Sequence, residues 1–219
     1  MKSIDTKIVI FDLDGTLLNT LQDLADSTNF ALNYFAYPSR TLEDVRNFVG
    51  DGVAKLIERA IPDGINNPKF EDCLELFKNH YSQNMYNKTA PYPKIIELLQ
   101  EIKSKNIKIA VVSNKFDAAV KDLCAKYFNG LIDFASGENE MLGIRKKPSA
   151  DAVIRVLENF NIERENAFYV GDSQVDILTA KNAQIPCISV TWGYKTKDFL
   201  IKNGAEYLVN NPEDILLII

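Results

Sequence analysis

The segment Asp12-Leu13-Asp14-Gly15-Thr16 stands directly behind the apolar run Ile8-Val9-Ile10-Phe11. That run is β-branched and aromatic, has the length of a buried strand, and stops at an acidic turn with a glycine. In open α/β sheets the carboxyl ends of the strands are where ligands bind. Two carboxylates spaced i, i+2 at such an end can hold a hard divalent cation through oxygen, or provide a nucleophile beside an acid/base. The plain alternative is a solvated strand-to-loop turn, because Asp and Gly favour turns in any case.

The pattern then changes to helices. Residues 20–36 carry apolar side chains close to a 3.6-residue period, among them Leu21, Leu24, Ala25, Phe30, Ala31 and Tyr34. Thr41 with Asp44 resembles a capping box opening a short helix. Gly50-Asp51-Gly52 interrupts, Val53 to Ile61 reads as a third helix stopped by Pro62, and a longer helix runs from Phe70 to Tyr86. Four helices without a strand predict a separate helical unit, ending at the stiff segment Thr89-Ala90-Pro91-Tyr92-Pro93.

From there strands and helices alternate. Strands are predicted at Ile107 to Val112, Leu131 to Ala135, Ala167 to Val170, Cys187 to Val190 and Tyr207 to Val209, separated by helices and followed by a terminal one. Such alternation implies right-handed crossovers and a parallel sheet covered on both faces. The expected fold is α/β: a Rossmann-like parallel core of five or six strands, with an all-helical cap inserted after the first strand. The core is assigned to residues 1–16 and 91–219 and the cap to 17–90.

Composition sets the outer limits. A chain of 219 residues, 46% hydrophobic and 25% charged, buries a full core as an ordinary globular protein. The net charge of −5 leaves no basic footprint for nucleic acid or an anionic membrane. An anionic substrate therefore needs a local cation or metal. Cys73, Cys124 and Cys187 are scattered, odd in number and in no CxxC pairing, which predicts buried thiols in a reducing compartment. With no signal core and no run long enough to span a membrane, a cytoplasmic location is expected.

Four predicted strand ends carry polar residues. They are Asp12 with Asp14, then Ser113-Asn114-Lys115, then Lys147-Pro148, and finally Gly171-Asp172-Ser173-Gln174-Val175-Asp176. Taken singly, Ser113-Asn114 has the composition of any turn or helix N-cap, Lys147 ends a basic triplet that suits a solvated face, and Gly171-Asp172-Ser173 suits a capped turn. Their joint order carries the information.

That order, DxDGT, strand-end Ser, Lys-Pro, then GDSxxD, resembles the four motifs of the haloacid-dehalogenase-like hydrolase superfamily across essentially the whole chain. Val49-Gly50-Asp51-Gly52, Pro91-Tyr92-Pro93, Val112-Ser113-Asn114-Lys115 and Thr191-Trp192-Gly193-Tyr194 are similar, more narrowly, to its phosphoglycolate phosphatase-like branch. The resemblance implies a Mg²⁺-dependent phosphatase working through an aspartyl-phosphate. It implies that Asp12 is the nucleophile and that Asp14 is the acid/base through a free side chain. Mg²⁺ is then held by Asp12, the backbone carbonyl of Asp14 and Asp172. Ser113, the backbone N–H groups of Leu13 and Asn114, and Lys147 hold the phosphoryl oxygens, with Asp176 in the outer shell ordering metal-bound water or a neighbouring lysine.

Asp14 sets the chain apart from the dehalogenases of that superfamily, whose halide leaving group needs no proton. Mutases resembling β-phosphoglucomutase carry a histidine in the first cap helix, whereas here the only histidine is His80, which reads as a packing residue. In the cap, Gly50-Asp51-Gly52 opens a helix whose N–H groups suit a substrate carboxylate, with Lys55 and Arg59 either adding charge from one face or merely solvated. The aromatics Phe30, Tyr34, Phe35 and Tyr37 are expected to pack between cap helices, and Trp192 either to line the pocket or to pack. Motion about crossings near 15–19 and 88–92 is expected to open and close the site. The implied partner is a small phosphorylated metabolite, 2-phosphoglycolate first. Sugar or nucleotide phosphates, pyrophosphate, a mutase reaction and a non-catalytic phosphate-binding role are the alternatives, and a monomer and a dimer are equally open.

Overall fold

The computed structural model describes residues 5–139 and 143–219. It separates into two compact units, one helical over Asn19–Ala90, the other made of the described residues up to Leu18 together with Pro91–Ile219. The second is the α/β unit. Its strands are β1 (Ile8–Phe11), β4 (Lys108–Phe116), β5 (Phe134–Glu138), β6 (Ala167–Gly171), β7 (Cys187–Val190) and β8 (Tyr207–Val209). They form one sheet in the order β5-β4-β1-β6-β7-β8, with every pairing parallel. This is the expected parallel sheet, with six strands among the described residues.

β1 lies at the centre because all four of its side chains are apolar and buried, which suits a strand covered on both faces. The chain leaves β1 toward β4 on one side and later returns to β6 on the other. The strand order therefore reverses beside β1, the position at which open α/β sheets bind ligands. The register Phe11↔Val111 and Phe11↔Val170 brings the residues after β1, the far half of β4 and the end of β6 to one edge. Helices α5 (Ile95–Ser104), α6 (Asp117–Tyr127), α7 (Asp151–Phe160), α8 (Gln174–Ala183) and α9 (Lys197–Lys202) link these strands. One part of the core joins Ile8, Ile10, Ala110 and Tyr169 of the sheet to Val153, Val156 and Leu157 of α7.

Three elements differ from the sequence reading. β4 does not stop at Val112 but runs to Phe116 with a shift of register against β5, so Ser113-Asn114-Lys115 lies within a strand and not in a turn. β5 begins at Phe134, because Leu131 N–H closes a turn on the Phe128 carbonyl and Asp133 is pinned to Ile109 by hydrogen bonds in both directions. The terminal helix is a 3₁₀ segment, Pro212–Leu217, capped by Asn211 and Asp214. Among the described residues no helix is long and apolar enough to cross a membrane.

The helical unit contains α1 (Leu21–Tyr34), α2 (Leu42–Phe48), α3 (Val53–Ala60) and α4 (Phe70–Asn84). The Thr41 and Asp44 capping box forms as the spacing predicts. Leu24, Ala25, Thr28, Ala31 and Leu32 of α1 are buried, and α4 buries the stacked pair Phe77 and Tyr81, with centroids 5.6 Å apart. Of the four aromatics expected to pack between the helices, Phe30 of α1 does stack on His80 of α4, but none of the four is a core residue. Phe30 and Tyr34 are exposed and Phe35 and Tyr37 half-buried, because the helical period turns Phe30 and Tyr34 off the face that carries Leu24, Thr28 and Ala31. Short strands β2 (Leu18–Asn19) and β3 (Ala90–Pro91) pair where the chain passes into the helical unit and out of it.

Candidate active site

At that edge of the sheet four carboxylates from the ends of β1 and β6 meet two ammonium groups, Lys115 of β4 and Lys147 of the turn before α7. Asp12 follows β1, its backbone N–H donating to the Val170 carbonyl of β6 at 2.9 Å. Lys147 Nζ lies 2.8 Å from Asp12 Oδ1 and 2.7 Å from Asp176 Oδ1, and donates to Tyr169 Oη at 3.1 Å. The Tyr169 hydroxyl in turn donates to the Val112 carbonyl at 3.1 Å. Beyond the Lys147 ammonium, the buried Asp12 Oδ1 has no partner among the described residues.

Both oxygens of Asp176 are committed. Oδ1 faces Lys147, and Oδ2 accepts from the Ser173 hydroxyl at 2.6 Å and the Ser173 N–H at 3.1 Å, fixing the start of α8. Gly171 makes this possible: a Cβ there would collide with the Asp176 side chain. Asp172 accepts from Tyr194 N–H at 2.7 Å on Oδ2 and from the Thr16 hydroxyl at 3.3 Å on Oδ1. Trp192, half-buried, donates its indole N–H to the Thr16 carbonyl at 3.0 Å. The ends of β1 and β7 thus both brace Asp172.

Burial of charge dominates the electrostatics. Burial pushes the Asp12 carboxyl up to about 7, with Lys147 opposing and Asp176 adding to the rise. Burial, then the charges of Asp176 and Asp12, hold Asp172 well above the ordinary carboxylate range. Burial works against the charge on Lys147, but Asp12 and Asp176 outweigh it and keep that ammonium well above the usual lysine range.

The other predicted residues fall as follows. Ser113 and Asn114 are buried on β4. The Asn114 amide donates to the Lys147 carbonyl at 3.0 Å and accepts from the Lys147 N–H at 2.8 Å, locking the loop that carries the lysine. The basic triplet divides: Arg145 forks onto Asp151 with both contacts at 2.8 Å, Lys146 is exposed, and Lys147 is buried. The Asp14 side chain pairs with Lys115 Nζ at 3.0 Å. A lysine carried on the same irregular stretch of β4 has reached it.

Gly50, Asp51 and Gly52 belong to the helical unit, half-buried at the start of α3, with positive φ at both glycines. Arg59 is neither a free cation nor a solvated one. It donates to Asp51 Oδ2 at 2.6 Å and to the Phe48 carbonyl at 2.7 Å, tying the turn together from within. Lys55 is paired with Glu58 at 2.6 Å. His80 stacks on Phe30 at 3.9 Å and its Nδ1 meets the Ser27 hydroxyl at 3.0 Å, a packing role.

The family model of haloacid dehalogenase-like hydrolases matches residues 9–190, a span that contains the four carboxylates and both lysines. The chain belongs to the haloacid dehalogenase-like hydrolases. Within that family its relatives place it in the phosphoglycolate phosphatase-like branch. A phosphoglycolate phosphatase of Aquifex aeolicus (strain VF5) is 32% identical over 211 residues, covering 96% of this chain and 95% of that protein. One from Vibrio parahaemolyticus is 31% identical over 226 residues, covering 98% and 96%. A solved structure from Lactobacillus delbrueckii subsp. bulgaricus matches with a TM-score of 0.91 at 34% identity, covering 96% of this chain and 97% of that one. Hydrolase family and phosphatase relatives together make the protein a phosphatase.

Three groups of this hydrolase escaped the sequence reading. Tyr169 has the pattern of one more apolar-facing strand residue, and only its hydroxyl contact with Lys147 reveals it. Thr16 stood in the quoted motif without a task, and Lys115 stood beside Ser113 and Asn114 in the same way. Position next to a motif was the available signal for both.

Proposed function

We propose that this hydrolase cleaves a small phosphate monoester, 2-phosphoglycolate first, in the cytoplasm, through a phosphoenzyme on Asp12 and with Mg²⁺ bound. One observation carries the mechanism: the buried Asp12 oxygen with only the Lys147 ammonium as partner among the described residues, at the switch point of the sheet. That ammonium is shared with Asp176, so the Asp12 carboxylate has capacity left for a further cation or an electrophile.

The residues fit a hard divalent ion. Asp12, Asp172 and Asp176 each offer a ligand oxygen, all within 4.8 Å of one another, and four carboxylates face only two ammonium groups. All the donors are oxygens, which suits Mg²⁺. Asp12, Asp172 and the Asp14 backbone carbonyl would hold it. Asp176 stays outside, because Lys147 and Ser173 already occupy both its oxygens. Bound there, Mg²⁺ neutralises phosphoryl charge and orients the ester.

The chain's own groups supply the rest. An Asp12 carboxylate oxygen attacks phosphorus and the bond to the leaving oxygen breaks, while Asp14 delivers a proton to that oxygen. In the second half Asp14 takes a proton from water, the water attacks phosphorus, and the bond to Asp12 breaks to release phosphate. Lys147 holds positive charge against the nucleophile and the phosphoryl oxygens throughout, with the Ser113 hydroxyl and the N–H groups of Leu13 and Asn114 as further donors. Unpaired cysteines, Cys73, Cys124 and Cys187, support a reducing compartment. The relatives' names support phosphoglycolate as substrate.

Two measurements test this. Asp12→Asn keeps the shape and removes the nucleophile, so kcat is expected to fall by at least about a thousandfold, roughly 4 kcal/mol of barrier. Retained turnover in that variant, or full activity in excess chelator, overturns the mechanism. A kcat/KM panel of phosphoglycolate, pyrophosphate, nucleoside monophosphates and hexose phosphates then tests the substrate. Phosphoglycolate is expected to lead by at least about tenfold, and a smaller margin removes it as the specific substrate.

A further inference from the structure

Lys115 has no part in the mechanism above, yet it is built into the site. Its side chain is 1% exposed and its Nζ lies 3.0 Å from Asp14 Oδ2. Burying an ammonium group is expensive, so a lysine here needs its carboxylate. The backbone is arranged to put it there. β4 slips register against β5 between Val112 and Phe116, and β5 presents Gly137 to the slipped stretch. A Cβ on Gly137 would strike the Lys115 carbonyl and lie 2.6 Å from the Asp117 Cα. The Gly137 N–H donates to Asp117 Oδ1 at 3.0 Å, holding the two strands in this close approach.

The two lysines divide the carboxylates between them. Lys147 stands among Asp12 and Asp176, and the group of mutually close ligand oxygens is Asp12, Asp172 and Asp176. Asp14, only two residues from Asp12, is not in that group and is paired with Lys115 instead. We propose that Lys115 is a positioning residue that keeps the Asp14 side chain away from the metal-binding carboxylates and available to the leaving oxygen. The proposal rests on the reading of Asp14 as the acid/base. Without Lys115, the Asp14 carboxylate is drawn toward the divalent ion, and proton delivery to the leaving oxygen suffers while attack by Asp12 persists.

This predicts a dependence on the leaving group that a general loss of packing does not produce. Lys115→Met preserves length and removes the charge. At saturating Mg²⁺ its kcat for phenyl phosphate is expected to fall at least about tenfold more than for p-nitrophenyl phosphate, whose leaving group needs little protonation. In an Asp14→Asn background the same change is expected to add less than about threefold on phenyl phosphate, because the two residues act as one unit. Lys115→Arg is expected to restore the parental ratio between the two esters. Equal losses on both esters, or full additivity with Asp14→Asn, overturns the proposal. If the Met variant does not fold by circular dichroism, Lys115→Gln is read by the same ratio. Asp14→Asn alone separates the two levels. Normal turnover of phenyl phosphate in that variant removes the acid/base reading, and the proposal with it, whereas a severe loss there with an unchanged ester ratio in Lys115→Met removes the proposal alone.

Discussion

Asn114 and Lys147 hold each other across 33 residues of sequence, the amide of one satisfying both the N–H and the carbonyl of the other at 2.8 and 3.0 Å. The clamp fixes the backbone that delivers the Lys147 ammonium to Asp12. Asn114→Ala leaves a buried donor and a buried acceptor unpaired, which costs about 2–4 kcal/mol of stability. Because the lysine then loses its aim, kcat is expected to fall at least about tenfold in protein that remains folded at low temperature. Denaturant melts together with initial rates check both halves, and an unchanged kcat shows that the clamp serves stability alone.

Asp172 is enclosed by two glycines. A Cβ on Gly193 would lie 2.5 Å from Asp172 Oδ2 and 2.5 Å from the Gly15 carbonyl, and one on Gly15 would lie 2.5 Å from the same Asp172 oxygen. Gly15 also has φ +86, a region where a side chain is strained. Gly193→Ala has an ordinary backbone angle and acts only through the collision, so it is the cleaner probe. It is expected to displace the Asp172 carboxylate and weaken Mg²⁺ by at least about tenfold, read as the Mg²⁺ concentration giving half-maximal rate. If that concentration does not change, Asp172 is not a metal ligand.

The sheet and the carboxylates were legible for the same reason. β1 and β6 are short buried runs that end in Asp-rich turns, so the local pattern marks both the strand and its functional end. What could not be read depends on pairing between distant segments. Nothing near Lys115 reveals that β4 continues past Val112 or that Gly137 stands across from it. The Asn114 clamp joins β4 to the turn before α7, far apart in sequence, and the Tyr169 hydroxyl finds Lys147 only after β6 has packed beside β1. In the helical unit, local pattern gave the Thr41 cap, but it could not decide the fate of Arg59, whose partner Asp51 lies two turns of chain away.

The raised carboxyls give the metal-free protein a pH dependence of definite sign. With Asp12 pushed up to about 7 and Asp172 also raised, the folded state binds protons that the unfolded chain has already lost above the ordinary carboxylate range. Stability in chelator is therefore expected to fall as pH rises from about 4 through about 7. A bound divalent ion replaces those protons. The stabilisation given by Mg²⁺, measured as the difference in Tm with and without chelator at each pH, is expected to grow from about pH 5 to about pH 8. Taking the difference cancels titration elsewhere in the chain. A gain that is flat or shrinks over this range argues against metal binding at these carboxylates.

Within the helical unit, Asp23 does the work of a fastener. Its buried carboxylate accepts from Lys88 N–H at 3.0 Å on each oxygen, and from the Thr89 N–H and the Thr89 hydroxyl, both at 2.8 Å. The last residues of the helical unit are thereby tied to the first turn of α1. Asp23→Ala strands the N–H and hydroxyl of the buried Thr89 and takes the acceptor from the N–H of the exposed Lys88, and about 2–4 kcal/mol of local stability is expected to go with them. The loss is local, because no group of the α/β sheet takes part in these bonds. Amide hydrogen exchange separates the possibilities: Lys88, Thr89 and the first turn of α1 are expected to lose protection by about a hundredfold, while β1 and β6 keep theirs. Thr89→Val removes only the hydroxyl contact and is expected to cost about 1 kcal/mol. Protection at Lys88 and Thr89 that survives Asp23→Ala means that the segment is held by its own packing and that the carboxylate is incidental to it.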